Sequence, residues 1–217
     1  MEVVTVAGDG AELVALAARV AEQAGAARRL VGIAGAPGAG KSTLAAWLAS
    51  QVGPQATVVP LDGFHLADAE LDRRGLRDRK GAPETFDAWG YAALLARLRE
   101  RPEHVVMAPG FERDLEQPLA GALPVAPEVG LVVTEGNYLL LDRAEWRAGR
   151  ERIDEVWFVR TDAALVLERL VARHALFGKS LSAAEAWVTR VDEPNARLVE
   201  ATAPRADLLL DLTAWNP

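Results

Sequence analysis

Eight consecutive residues, Gly35-Ala36-Pro37-Gly38-Ala39-Gly40-Lys41-Ser42, match G-x-x-x-x-G-K-[ST] directly after the short apolar run Leu30-Val31-Gly32-Ile33-Ala34 and directly before a stretch of helical periodicity. Glycines let successive backbone N–H groups turn inward on a phosphate without Cβ obstruction, and the helix that follows adds the positive end of its dipole. Lys41 is then expected to reach the β and γ phosphates of a nucleoside triphosphate and Ser42 to place its hydroxyl on Mg²⁺. Gly35, Ala36, Gly38, Ala39, Gly40, Lys41, Ser42 and Thr43 form the expected triphosphate site. With 18 glycines in 217 residues, a shuffled chain of this composition matches the pattern on the order of once in a thousand. Only three of the 24 basic residues are lysines, so a lysine at position 41 is not what the general usage of this chain would supply.

Two acids at the ends of apolar runs are candidates to face the γ-phosphate. Leu131-Val132-Val133-Thr134 reads as a buried strand that delivers Glu135 to the carboxyl edge of a sheet, where open α/β sheets bind ligands. Glu135 is the expected metal-side acid, and Gly136 behind it permits close backbone approach. Val58-Val59-Pro60-Leu61 ends at Asp62, which is placed to take a proton from an acceptor hydroxyl. An Asp-Gly pair is also an ordinary turn signal, so the assignment of Asp62 as base leans on the phosphate loop upstream.

The elements that must hold these residues follow from periodicity. Short runs apolar on both faces recur at 56–61, 105–108, 131–134, 156–159 and 206–210, with helical patterns at 88–101, 144–150, 163–177 and 183–199. Near the N-terminus, Asp9-Gly10-Ala11-Glu12 resembles a capping box ahead of Leu13, Leu16, Val20 and Ala24 at helical spacing. Strands alternating with helices predict an α/β fold with a mostly parallel central sheet covered by helices on both faces. Segments 62–87 and 110–128 fit poorly and are expected as long excursions at a sheet edge that build a substrate site.

Composition sets the outer limits. Half of the 217 residues are apolar and a quarter charged, which suits one domain spanning 1–217. A net charge of −7 disfavours nucleic acid as a partner. With no cysteine there is neither disulfide nor thiolate chemistry, which sits most easily with the cytoplasm. No apolar run is long enough for a membrane span, and no basic leader opens the chain. The expected partner is a small-molecule substrate, with no nucleic acid and no membrane, and a homodimer is left open.

From about Arg29 to Asp211 the chain resembles the uridine kinase, phosphoribulokinase and type I pantothenate kinase branch of the P-loop kinases. The likeness rests on residues 35–42, on Leu61-Asp62-Gly63-Phe64-His65, and on Glu135-Gly136-Asn137-Tyr138-Leu139-Leu140-Leu141-Asp142, in that order. It implies a P-loop NTPase fold with a helical lid over about 163–199, ATP and Mg²⁺ as cofactors, Asp62 as base and Glu135 beside the metal. It also makes 163–177 the lid helix, whose Arg169 and Arg173, four apart, would close over the triphosphate. Gly178-Lys179-Ser180 would then be a hinge or only a loop. Arg74-Gly75-Leu76 and the run Lys80 to Asp87 look closer to pantothenate kinases than to uridine kinases, whose corresponding loop carries an Asp-His-Pro element missing here. In overall look the chain is similar to bacterial members called nucleoside kinases or fructose-transport kinases. The expected reaction is transfer of the γ-phosphoryl of ATP to a metabolite hydroxyl, most simply of a nucleoside, with pantothenate or a sugar as alternatives. A nucleotide-dependent regulatory module is the alternative of another class, although no guanine-reading N-K-x-D sequence is present.

His65, Lys80, Asp87, Phe111 and Arg113 are the expected substrate-side residues. His65, His104 and His174 show no metal-binding spacing. Trp89, Trp146, Trp157 and Trp187 read as packing residues.

Overall fold

In a parallel sheet covered on both sides, each strand has to be apolar on both faces, and the central runs of this chain are. The computed structural model describes residues 2–25, 27–176, 178 and 180–216. In chain order its elements are β1 (Glu2–Thr5), α1 (Ala11–Gln23), β2 (Arg29–Gly35), α2 (Lys41–Val52), β3 (Ala56–Pro60), α3 (Asp68–Arg74), α4 (Ala88–Arg99), β4 (Val106–Glu112), β5 (Gln117–Val125), β6 (Leu131–Gly136), α5 (Ala144–Arg150), β7 (Glu155–Arg160), α6 (Ala163–Leu176), α7 (Leu181–Trp187), α8 (Glu193–Glu200) and β8 (Leu208–Asp211). Six strands form one parallel sheet in the order β1-β8-β7-β2-β6-β3.

Alternation along the strands separates two cores. Leu30, Ala34, Val132, Val156 and Phe158 pack with Tyr91, Leu94, Leu95 and Leu98 of α4, Trp146 of α5 and Val199 of α8. Their strand neighbours Val31, Ile33, Val133, Trp157 and Val159 point the other way, against Leu13, Ala17 and Val20 of α1 and Leu44, Ala45 and Leu48 of α2. The α/β fold with helices on both faces is thus present, and β2 lies inside it between β6 and β7, where both loops that matter can reach its end.

Several local expectations are corrected. The run at 105–108 is not a strand of the parallel sheet: β4 pairs antiparallel with β5 as a separate two-stranded ribbon that takes up most of the 110–128 excursion. In such a ribbon each strand keeps an unpaired edge, so Pro109, Pro118 and Pro124 can be accommodated. The 62–87 segment is built of short helical turns around α3 rather than open loop. The 183–199 pattern is not one helix but α7, a π turn over Val188–Asp192, and α8. Pro194 lies in the first turn of α8 and has no N–H to donate backward, which breaks regular α-helical bonding at that point. The capping box at 9–12 is not formed either. Gly10, at φ 68°, is the N-cap of α1, Asp9 Oδ1 accepts from the Ala11 N–H at 3.3 Å, and Glu12 reaches back to the Ala7 N–H at 3.0 Å.

Trp146 and Trp157 are core residues, whereas Trp89 is 60 % exposed and Trp187 is half-buried at the edge of a cleft. Phe177, the last residue of the expected lid helix, and Lys179 of the expected hinge lie outside the described residues. Among the described residues no helix is long and apolar enough to cross a membrane.

Candidate active site

The phosphate loop is built by glycines that no other residue could replace without strain. Gly38 and Gly40 hold φ values of 79° and 94°, which side chains rarely adopt, and a Cβ on Gly35 would stand 2.6 Å from the carbonyl oxygen of Val159. Gly40 is also the N-cap of α2, so the helix begins at Lys41 with its first N–H groups free. Lys41 is only 7 % exposed and folds back so that Nζ donates to the Ala36 carbonyl at 2.9 Å. Burial pushes its ammonium below the usual lysine range, opposed by the nearby carboxylates of Glu135 and Asp62. A buried ammonium held by a backbone carbonyl beside the N-terminus of a helix is a receptor for an anion.

Strand register delivers the acids. Glu135 at the end of β6 pairs with Ile33 of β2 on one side and with Pro60 of β3 on the other, two residues short of Asp62. Gly136 has to be small, because a Cβ there would lie 2.5 Å from Leu61 Cβ. Ser42 Oγ donates to Glu135 Oε1 at 2.9 Å. Glu135 is 5 % exposed, and burial first and the charge of Asp62 second push its carboxyl above the ordinary range, against the pull of Lys41 and Ser42.

Asp62 sits in the turn Leu61–Phe64, and its backbone carbonyl takes the His65 N–H at 3.1 Å and the His65 Nδ1–H at 2.8 Å. Burial holds the His65 imidazole below its usual range, so it is neutral near pH 7, with Nε2 left as an acceptor. Its ring packs against Phe86 and Phe111 at centroid distances of 4.0 and 4.9 Å. Arg113, carried at the end of the β4–β5 ribbon, places Nη2 3.7 Å from Asp62 Oδ2.

Two cavities of ≈390 Å³ each meet at this point. The first runs from Gly38 to Thr43 and is closed by Arg169 and Arg173 of α6. The second contains Asp62, His65, Lys80, Phe111 and Glu135. Lys41, Ser42, Arg113 and Arg173 line both, which marks their junction. Among the described residues neither Arg169 nor Arg173 forms an ion pair, while Arg169 Nη1 would lie 3.9 Å from a Cβ on Gly40.

The sequence-predicted residues therefore converge, with one exception. Asp87 is the N-cap of α4: its carboxylate accepts the Gly90 N–H at 2.8 Å, it is exposed, and it lies outside both cavities. Lys80 does line the second cavity, but Nζ is already held by Asp68 Oδ1 at 2.7 Å and by the Glu116 carbonyl. Residues missed from sequence include Leu212 and Trp215 beside the first cavity and Asn137, His174, Trp187, Asp192 and Asn195 beside the second. Asn137 carried a signal, since it lies in the Glu135–Asp142 motif, and so did His174, which directly follows Arg173 on α6.

These residues fit ATP and Mg²⁺. The loop and the four cations Lys41, Arg113, Arg169 and Arg173 suit a polyphosphate, and the Ser42 hydroxyl with the Glu135 carboxylate is an oxygen-only pair of the kind a hard divalent cation takes. Among the described residues no group of three or more acidic, histidine or cysteine side chains could hold an ion alone.

The chain is 37 % identical over 191 residues to the uncharacterized protein YggC of Escherichia coli (strain K12), a match covering 86 % of this chain and 78 % of that one. It is 31 % identical over 194 residues to the "Putative uridine kinase C227.14" of Schizosaccharomyces pombe, covering 84 % and 83 %. Among solved structures, that of a "putative fructose transport system kinase" from Silicibacter sp. TM1040 is similar at a TM-score of 0.82 and 41 % identity, covering 91 % of this chain and 98 % of that one. YFH7 from Saccharomyces cerevisiae, at 18 % identity and a TM-score of 0.79, covers 94 % of this chain and 99 % of its own and shares the fold. No family model matches the chain. On these similarities, the chain belongs to the P-loop kinases of the uridine kinase and pantothenate kinase superfamily, and it is an ATP-dependent kinase.

Proposed function

We propose that the protein transfers the γ-phosphoryl of ATP to a hydroxyl of a small metabolite bound in the second cavity, with a nucleoside as the acceptor. The observation that carries this reading is the junction: Asp62 lines the acceptor side, while Lys41, Ser42, Arg113 and Arg173 line both sides. The loop amides and Lys41 hold the phosphate chain, and Arg169 and Arg173 close over it from α6. Asp62 accepts the proton of the attacking hydroxyl as the new P–O bond forms and the bond to the β-phosphate oxygen breaks, leaving ADP. Ser42 and Glu135 would hold Mg²⁺, which when bound would offset the phosphate charge. The whole chain acts as one kinase domain, with 163–199 as its lid.

A nucleoside is supported by the aromatic side of the cavity, where His65 packs at a tilt between Phe86 and Phe111, and by the printed name of the S. pombe relative. A sugar is the second reading, favoured by the name of the 41 % identical Silicibacter structure. The experiment is coupled ADP release with Mg-ATP alone and with uridine, cytidine, pantothenate, D-fructose and D-glycerate, followed by mass analysis of the product. Stimulation by uridine or cytidine supports the proposal, and stimulation by another member of the panel moves the acceptor. A rate indifferent to every acceptor replaces the kinase reading of the second cavity by that of a nucleotide-binding module.

A further inference from the structure

Asp192 is an almost buried carboxylate, 7 % exposed, that phosphoryl transfer as described above does not use. It closes the π turn Val188–Asp192, and such turns place side chains where a regular helix would not, often at functional sites. Its Oδ2 lies 2.7 Å from Nε2 of His174, the residue after Arg173 on α6. Among the described residues nothing donates a hydrogen bond to the second oxygen, Oδ1. Asp192 and His174 line the same cavity as Asp62, which Glu116 and Glu135 also line.

Oδ1 is not among the buried atoms left without a partner, so it keeps contact with the open space of the cavity, where a ligand donor can replace water. A ligand donor that takes the place of water there is chosen by its surroundings. Lys80 and Arg77, the cations that could recognise a carboxylate or phosphate on the acceptor, are both tied to Asp68 at 2.7 Å. Arg113 and Arg173 are shared with the triphosphate cavity. The other groups that face the acceptor are the amides of Asn137 and Asn195 and the His65–Phe86–Phe111 wall, none of which carries the positive charge an acidic acceptor would need.

We propose that Asp192, oriented by His174, accepts a hydrogen bond from a second hydroxyl of the acceptor, one that is not phosphorylated, so that the enzyme selects neutral polyhydroxylated acceptors over acidic ones. Asp192 is then a specificity-determining residue and His174 a positioning residue. This rests on the kinase reading of the second cavity, with Asp62 as base.

The test compares uridine with 2′,3′-dideoxyuridine, which keeps the 5′-hydroxyl and lacks the vicinal pair, in the wild type, Asp192→Asn, Asp192→Ala and His174→Gln. The wild type is expected to favour uridine by about 10–100-fold in kcat/KM, the worth of one hydrogen bond to a buried charge. Both Asp192 variants should bring that ratio to within about threefold of unity through KM for uridine, with KM for ATP unchanged, and His174→Gln should fall between. A tie that only joins α6 to the π turn would lower both acceptors equally and leave the ratio intact, and that outcome overturns the proposal. So does equal use of the two nucleosides by the wild type, a comparison that needs no variant. If neither nucleoside releases ADP from the wild type, the nucleoside reading falls and takes this proposal with it. A ratio that survives in the variants sinks this proposal alone.

Discussion

Ser42 Oγ donates a 2.9 Å hydrogen bond to Glu135 Oε1 across 93 residues of sequence, joining the first turn of α2 to the carboxyl end of β6. The two oxygens stand where a cation would be shared between protein and phosphate, and the charge of Asp62 adds to burial in opposing ionisation of Glu135.

Replacing Glu135 by Gln should therefore raise the Mg²⁺ concentration needed for half-maximal rate and lower kcat by about 10²-fold. Without nucleotide the variant should melt no lower than the wild type, because the folded environment works against the ionised carboxyl. A Mg²⁺ titration of the ADP release rate decides the matter: an unchanged midpoint would remove Glu135 from the metal side.

For Asp62→Asn the loss should be confined to turnover. Removal of a general base costs typically about 10²–10⁴-fold in kcat, while nucleotide affinity should hold within about twofold. Near-normal turnover in this variant would refute its role as base, and calorimetric titration with an unreactive ATP analogue supplies the affinity.

At Gly38 the loop and the lid helix touch. A Cβ there would lie 3.0 Å from Leu170 Cγ and 3.2 Å from the Val166 carbonyl oxygen, at a φ of 79°. Gly38→Ala should strain the loop and push α6 outward, weakening nucleotide binding by about tenfold or more, since strain at such a site is worth about 1–3 kcal/mol. Nucleotide titration that shows wild-type affinity would mean that the loop does not need this conformation.

Away from the site, Glu155 ties α1 and β2 to β7. Burial pushes its carboxyl up, but hydrogen bonds from Arg19, Trp157 Nε1 and Arg29 outweigh that and hold it below the usual range. A depressed folded value means that the unfolded chain takes up the proton first as pH falls, so the stabilisation is complete above the unfolded value of about 4.3 and is lost as pH drops through the folded one. Glu155→Gln should cost about 1–2 kcal/mol at pH 7, a modest figure because Arg19 is partly solvated. In melting experiments the gap from the wild type should narrow as pH is taken below 4; a gap constant from pH 7 to pH 3 would count against the ionic origin.

Much of the site could be read in one dimension because its parts are local. A phosphate loop needs its glycines, lysine and serine in one contiguous run, and Asp62 and Glu135 end strands whose apolar pattern is visible from either side. The parallel sheet was legible for the same reason, since Val31, Ile33, Val133 and Trp157 alternate with residues buried on the opposite face. Asp87 shows the opposite case: its polar setting suggested a ligand contact, but a helix starting at Ala88 claims its side chain as a cap.

What the chain determined by itself is the triphosphate grip and the order of strands and helices that carries it, because adjacent residues define both. Tertiary structure alone decided where β4 and β5 pair, that Phe111 of β4 and the turns after α3 line the second cavity, and that Asp192 reaches that cavity with His174 beside it. These depend on packing between segments far apart in sequence and on a π turn next to Pro194, and neither leaves a periodicity to read.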